Sequence, residues 1–239
     1  MKIVLVGFGM MNQMVKELID KKQDMECIGI IGSRHARSLF DIGSDFDVII
    51  DFSHPDYLNM IFEYVEKKSV ALVLATTGYT QEQIESIRKL SLKAPIVYTA
   101  NFSLGITVFQ QILKQITPVL KDLFDVELIE KHHRQKLDAP SGTAKMLLEA
   151  MDGLEYRDRK YGREGDCRRG DEIGIHSIRG GSITGEHTVM FINEDEILEI
   201  SHKAESKQVF ASGALKAAEF AVKQTPGLYG MDDVLFQKR

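Results

Sequence analysis

In the segment Glu130–Thr143 two adjacent histidines, His132 and His133, stand with Glu130, Lys131, Arg134 and Lys136 at the end of an apolar run, and the chain continues Leu137-Asp138-Ala139-Pro140-Ser141-Gly142-Thr143. Imidazole titrates near neutral pH, and guanidinium and ammonium groups bind anions, so the cluster combines a proton donor with a site for negative charge. Ser141 is a fitting N-cap for a helix running through Met151, and Gly142 and Thr143 then present backbone N–H groups at its positive end. Gly142 lets an anion approach closely, while Asp138 and Pro140 shape a turn that aims Lys136 at the same place. A ligand with two carboxylates fits between the helix end and the basic cluster. A basic turn can be a plain solvated face and Ser-Gly-Thr a plain cap, so the weight lies in their convergence at one turn. No cysteine or carboxylate in the segment completes a convincing ligand set beside the histidines, and no metal is expected.

A second chemical signal lies at the start of the chain. Val4-Leu5-Val6-Gly7-Phe8-Gly9 places a tight glycine turn after an apolar run, and a helix pattern begins at Met10. Gly7 and Gly9 can bring backbone close to a pyrophosphate whose charge meets the helix N-terminus. The full fingerprint has a third glycine where this chain has Asn12, so the turn alone could equally be a bare β–turn–α unit. A dinucleotide's adenosine ribose belongs near the end of the second strand, where a carboxylate holds NAD and a basic group takes the 2′-phosphate of NADP. The sequence there is Gly32-Ser33-Arg34-His35-Ala36-Arg37, with no carboxylate, and Ser33 with Arg34 favours NADPH, leaving NADH as the alternative. Two further strand ends, Ala75-Thr76-Thr77-Gly78 and Thr99-Ala100-Asn101-Phe102-Ser103, carry small and hydroxylated residues suited to a nicotinamide and its ribose.

The elements that must position these groups follow from periodicity. Runs at 3–6, 26–31, 47–50, 71–74 and 96–98 read as strands, and 10–22, 55–67 and 81–90 carry helical spacing, the alternation that builds a parallel sheet covered by helices. The stretch 32–45 is too short and polar for a full crossover helix. After Ser103 a long helix leads into a strand at 126–131, and a charged loop, Tyr156–Asp171, precedes runs at 172–178, 187–192 and 197–202 that suit an antiparallel sheet. A last helix spans 208–223. The expected class is α/β, a Rossmann-type nucleotide-binding domain over 1–103 plus 207–239, with a second α+β domain over 104–206 containing a mixed or antiparallel sheet.

Composition narrows the setting. The 239 residues are 44% hydrophobic and 27% charged, ordinary for a globular chain. A net charge of −5 argues against generic nucleic-acid binding, and no apolar stretch reaches the length of a membrane span or a signal-peptide core. Cys27 and Cys167 are not needed as a staple at this length, which points to a reduced, cytoplasmic setting.

These residues resemble the 4-hydroxy-tetrahydrodipicolinate reductases (dihydrodipicolinate reductases) of the diaminopimelate route to lysine. The resemblance spans nearly the whole chain: the GxG turn, Asp51-Phe52-Ser53 before Pro55, Ala75-Thr76-Thr77-Gly78, Ala100-Asn101-Phe102-Ser103, the block from His132 to Thr143, and Ile178-Arg179-Gly180-Gly181 through Gly185-Glu186-His187. It implies that His132 is the catalytic acid/base and Lys136 a second proton donor, and that His133, Lys136, Ser141, Gly142 and Thr143 bind the substrate. It implies cofactor contacts at Gly7, Phe8, Gly9, Met10, Met11 and Asn12, at Ala75, Thr76 and Thr77, and at Thr99, Ala100, Asn101 and Phe102. A homotetramer built through the second domain's sheet and a closing motion between domains also follow from it. The chain departs from the common pattern in lacking later glycines of the first turn, in having Gly32-Ser33 where an acidic residue often selects NADH, and in Ala75, where many relatives have glycine. Two rivals lack support in the residues. Another reductase of the aspartate pathway leaves the HHRQKLDAPSGT block unexplained, and a cofactor-sensing module has no need of a proton donor beside a carboxylate site.

Overall fold

In the computed structural model, which describes residues 1–32, 35–152 and 157–236, the chain runs β1 (Lys2–Val6), α1 (Met10–Ile19), β2 (Glu26–Ile31), β3 (Val48–Asp51), α2 (Leu58–Lys68), β4 (Ala71–Leu74), α3 (Gln81–Leu90) and β5 (Pro95–Tyr98). It continues with α4 (Leu104–Leu120), β6 (Asp125–His132), α5 (Gly142–Asp152), β7 (Arg159–Tyr161), β8 (Ile173–Arg179), β9 (Glu186–Ile192) and β10 (Ile197–Lys203). It closes with α6 (Gln208–Ala221), β11 (Gly227–Tyr229) and α7 (Met231–Phe236). Two compact units result, Met1–Leu104 with Gln208–Arg239, and Gly105–Lys207.

The first unit holds a six-stranded sheet in the order β11-β5-β4-β3-β1-β2, every pair parallel. Its strands are apolar on both faces because both faces are covered. Ile3, Leu5, Val48, Ile50 and Val73 pack with Val15 and Ile19 of α1 and the alanines of α6, while Val4, Val6, Ile49, Leu72 and Leu74 pack with Leu58, Ile61 and Val65 of α2 and Ile87 and Leu90 of α3. Each fully buried Ile, Leu or Val contributes roughly 1.5–3 kcal/mol. α3 starts at a capping box in which Thr80 Oγ1 accepts the Gln83 N–H and Gln83 Oε1 accepts the Thr80 N–H. Strand order reverses beside β1, with β2 on one side and β3 on the other, and that switch point is where open α/β sheets bind ligands.

The second unit stacks α4 and α5 on one face of a five-stranded sheet, β10-β9-β6-β8-β7. Phe109 and Leu113 of α4 and Leu147 and Leu148 of α5 meet Val126, Leu128, Ile173, Ile175, Val189 and Phe191. This sheet is mixed. β6–β9 and β9–β10 are antiparallel, but β8 pairs with β6 and β7 in parallel, so the expectation of three consecutive antiparallel runs fails at β8. The α/β class, the parallel sheet and the second α+β unit are otherwise as the sequence predicts.

Smaller differences have local causes. α1 ends at Ile19, before the expected Lys22, where the apolar spacing gives way to Asp20-Lys21-Lys22. Pro55–Tyr57 forms a 3-10 turn ahead of α2, and the abbreviated stretch after β2 contains a 3-10 turn at Leu39–Asp41 capped by Ser38. The expected loop 156–171 holds the short strand β7, with Tyr156 outside the described residues. Both cysteines are free thiols. Among the described residues no helix is long and apolar enough to cross a membrane.

Candidate active site

β6 alternates strictly, so Val126, Leu128, Glu130 and His132 share the inward face. The first two fill the core; Glu130 places a fully buried carboxyl on the same face (0% exposed). An isolated charge there would cost several kcal/mol, and its partners supply the compensation. Arg179, at the end of β8 and in register with His132, grips both carboxylate oxygens, Nη2 to Oε1 at 2.7 Å and Nη1 to Oε2 at 2.9 Å. The Ser141 N–H reaches Oε1 at 3.3 Å, and His132 Nδ1 lies 2.5 Å from Oε2. Burial alone would push the Glu130 carboxyl up, but hydrogen bonds from His132, Arg179 and Ser177 with the guanidinium charge bring it down to about 2. Arg179 also donates to the Asp138 carbonyl at 2.6 Å, tying this pair to the turn that carries Lys136.

His132 is buried, and its ring meets the buried His187 ring edge to face, with centroids 5.2 Å apart. Burial, with the neighbouring His132, pulls the His187 imidazole down to about 3, so it is neutral at physiological pH. His187 Nε2 lies 3.1 Å from Ser141 Oγ, which also accepts the Ala144 N–H at 3.1 Å and so caps α5 as expected. Ser141 is itself buried, and its side chain builds the helix end. Gly142 is exposed, and a side chain there would meet nothing within 4 Å. Lys136 Nζ pairs with Asp138 Oδ1 at 2.8 Å. Burial would raise the Asp138 carboxyl, yet Lys136 and the Gly142 N–H hold it below the usual carboxylate range. An internal carboxylate therefore sits where the ammonium and helix end would receive one from a ligand. His133 is half-buried, and its Nδ1 has no hydrogen-bond partner among the described residues.

Glu130, His132 and His187 bring three ligand atoms within 4.8 Å of one another, a set with metal-binding composition. The segment Glu130–Thr143 alone does not contain this set, because His187 comes from β9. Here both Glu130 oxygens already serve a cation, Arg179.

In the first unit the turn after β1 has Gly7 at φ +84°, and a Cβ there would lie 2.8 Å from the Phe52 carbonyl and from the Ser53 Cβ. Gly9 caps α1 with extended backbone and no side-chain cap, which leaves the helix N–H groups to a ligand. This cradle fits a dinucleotide's pyrophosphate. Asn12 is fully buried, donating its amide to the Val6 and Gly7 carbonyls at 2.6 and 2.8 Å. Its side chain thus shapes the turn from behind. Thr76 is likewise buried, with Oγ1 accepting the Ser53 N–H at 2.9 Å. Asp51, Ser53 and Tyr79 complete a network beneath these loops, in which burial raises the Asp51 carboxyl despite hydrogen bonds from Ser53 and Tyr79. Asn101 and Phe102 are buried, whereas Phe8, Gly9, Met10, Thr77 and Ala100 are exposed and Gly7, Met11, Ala75 and Thr99 half-buried. Ser33 and Arg34 lie outside the described residues.

The sequence model described as Dihydrodipicolinate reductase, N-terminus, matches residues 1–102, and that described as Dihydrodipicolinate reductase, C-terminus, matches residues 105–235. The chain belongs to the dihydrodipicolinate reductase family. The 4-hydroxy-tetrahydrodipicolinate reductase of Alkaliphilus oremlandii is 41% identical over 98% of both chains, and that of Exiguobacterium sibiricum 42% identical over 100% of this chain and 98% of its own. A dipicolinate-bound dihydrodipicolinate reductase from a Paenisporosarcina species shares the fold with a TM-score of 0.78 at 22% identity, covering 98% of this chain and 99% of that one. Glu130 is a carboxylate in the inward phase of a strand, two residues before His132; Arg179 and His187 stand in segments that carry the family resemblance, but only strand pairing brings them to β6.

Proposed function

We propose that this protein reduces 4-hydroxy-tetrahydrodipicolinate to tetrahydrodipicolinate with release of water, in the diaminopimelate route to lysine. The observation that carries the reading is His132, braced by a buried carboxylate beside a helix end and a lysine suited to a carboxylate. His132 donates the proton that accompanies reduction, a role within reach of a group whose unperturbed pKa is about 6.5. Lys136 leaves Asp138 to pair with a substrate carboxylate and offsets negative charge as it develops. Gly142 and Thr143 contribute the helix N-terminus, His133 adds a donor, and Ser141 holds these groups in place. Such a site suits a ring dicarboxylate, and dipicolinate, the ligand named for the Paenisporosarcina enzyme, is one.

Gly7, Phe8, Gly9, Met10 and Met11 hold the pyrophosphate of a nicotinamide dinucleotide, and Ala75, Thr77, Thr99 and Ala100 face its far end. The reduced nicotinamide supplies a hydride to the substrate. The absence of a carboxylate at Ser33-Arg34 favours NADPH over NADH. The exposed apolar residues Ile178, Ile197 and Leu198 of the second unit's sheet support assembly of a homotetramer through it, in a cytoplasmic setting. NADPH oxidation with enzymatically generated substrate tests the activity. Substrate-dependent turnover with a lower Michaelis constant for NADPH than for NADH is expected; a preference for NADH unchanged by Arg34→Ala would overturn the cofactor assignment. Light scattering gives the mass of the assembly.

A further inference from the structure

We infer that Glu130 is the positioning residue that fixes the tautomer of His132, keeping a proton on Nδ1 so that Nε2 is the atom that delivers and recovers the proton in turnover. The inference rests on the reading of His132 as the acid of a reductase and names the atom, the brace and the access route.

Three independent features support it. The Glu130 carboxylate cannot swing away, because Arg179 holds both oxygens and the Ser141 N–H holds one of them. A buried carboxylate at 2.5 Å from Nδ1 is an acceptor only, so Nδ1 carries hydrogen whether the ring is neutral or charged. The other ring nitrogen faces Gly185, where an added Cβ would come within 3.1 Å of Nε2. A side chain at that position would crowd the one nitrogen left for chemistry, and glycine keeps it clear. His187 supplies the third. Its ring abuts His132, and a second cation at this distance is opposed by burial and by the charges of His132, His202 and Lys136, against the attraction of Glu130. His187 is therefore neutral, and the pair carries no more than one excess proton. In the step itself the imidazolium gives its Nε2 proton to the substrate and becomes the neutral ring, with Nδ1–H still bound to Glu130.

A Glu130 that served only to neutralise Arg179 would affect folding and leave the chemistry alone, so the test must read the imidazole. In ¹⁵N-labelled wild-type protein, with the His132 signals assigned by their loss in His132→Gln, the neutral ring is expected to show a protonated Nδ1 and a bare Nε2. The reverse tautomer overturns the inference, and this measurement needs no variant of Glu130. In Glu130→Gln the side-chain amide can donate to Nδ1 and force the wrong tautomer. kcat should then fall on the order of 10²- to 10⁴-fold, with the dissociation constant of dipicolinate changed less than about threefold. The pH-profile limb that reports the acid should move to lower pH, since the anion beside the ring is gone while the Arg179 guanidinium that it neutralised remains. Glu130→Asp retains the charge and should restore that limb while kcat stays reduced. A Glu130→Gln enzyme with wild-type kcat and profile overturns the inference, as does a loss confined to thermal stability. A wild-type enzyme inactive on the substrate would instead refute the reductase reading, and the tautomer would still be decided by the spectrum.

Discussion

Acid should weaken the second unit through His187, and the structure sets the size of the effect. The ring is buried, and burial with the neighbouring His132 lowers its pKa to about 3 from an ordinary value near 6.5. A folded-state pKa below the unfolded one means that the unfolded chain takes up the proton first, so stability is complete above about pH 6.5 and drains away as the pH falls toward 3. Each pH unit inside that window costs about 1.4 kcal/mol for one proton, which amounts to roughly 2 kcal/mol between pH 8 and pH 5. His187→Gln keeps a polar side chain that stays neutral across this range and should lack that part of the pH dependence, even though losing the Ser141 contact lowers its stability at pH 8. Urea unfolding read by hydrogen–deuterium exchange on peptides from β6 and β9 reports this unit by itself. Wild type and His187→Gln are expected to differ by about 2 kcal/mol in how much stability each loses from pH 8 to pH 5. Parallel losses in the two proteins would refute the buried neutral imidazole and the single-proton account of the histidine pair.

Two further outcomes follow from contacts already described. Asp138→Asn removes the internal carboxylate from Lys136 and the start of α5, and calorimetry should show dipicolinate binding about 3- to 10-fold tighter; weaker binding would mean that Asp138 orients Lys136 and does not compete for it. Gly7→Ala forces a Cβ into the Phe52 carbonyl at a positive φ, so it should cost about 1–3 kcal/mol in unfolding free energy and weaken NADPH at least tenfold in a fluorescence titration. Intact cofactor binding would refute the assignment of this turn.

What could be read without coordinates depended on how local the cause was. The strands of the first unit are written in unbroken apolar runs such as Ile3–Val6, and α3 is announced by Thr80 and Gln83, so both were legible. β7, β11 and α7 are three to six residues long and owe their form to neighbours: β11 exists because it lies beside β5, and β7 because it lies beside β8. The direction of β8 was illegible for the same reason, since periodicity describes a strand's faces and says nothing of its partners. The site shows the same division. His132, Lys136, Ser141 and Gly142 sit within one turn and were found together. Glu130 required the period-two rule to be applied to a charged residue, while Arg179 and His187 join only through the β6–β8 and β6–β9 pairings. Asn12 and Thr76, cofactor contacts by the family resemblance, have buried side chains, which nothing in their motif position announces.

The central claim is reduction of a ring dicarboxylate with His132 as the proton donor. Its most direct test supplies enzymatically generated 4-hydroxy-tetrahydrodipicolinate with NADPH carrying deuterium at both nicotinamide C4 positions, and reads the product by mass spectrometry. Tetrahydrodipicolinate carrying one deuteron on carbon is expected, formed about 10²-fold more slowly by His132→Gln with cofactor affinity nearly unchanged. Product without deuterium, nucleotide oxidation that ignores the dicarboxylate, or a His132→Gln enzyme as fast as wild type would contradict it.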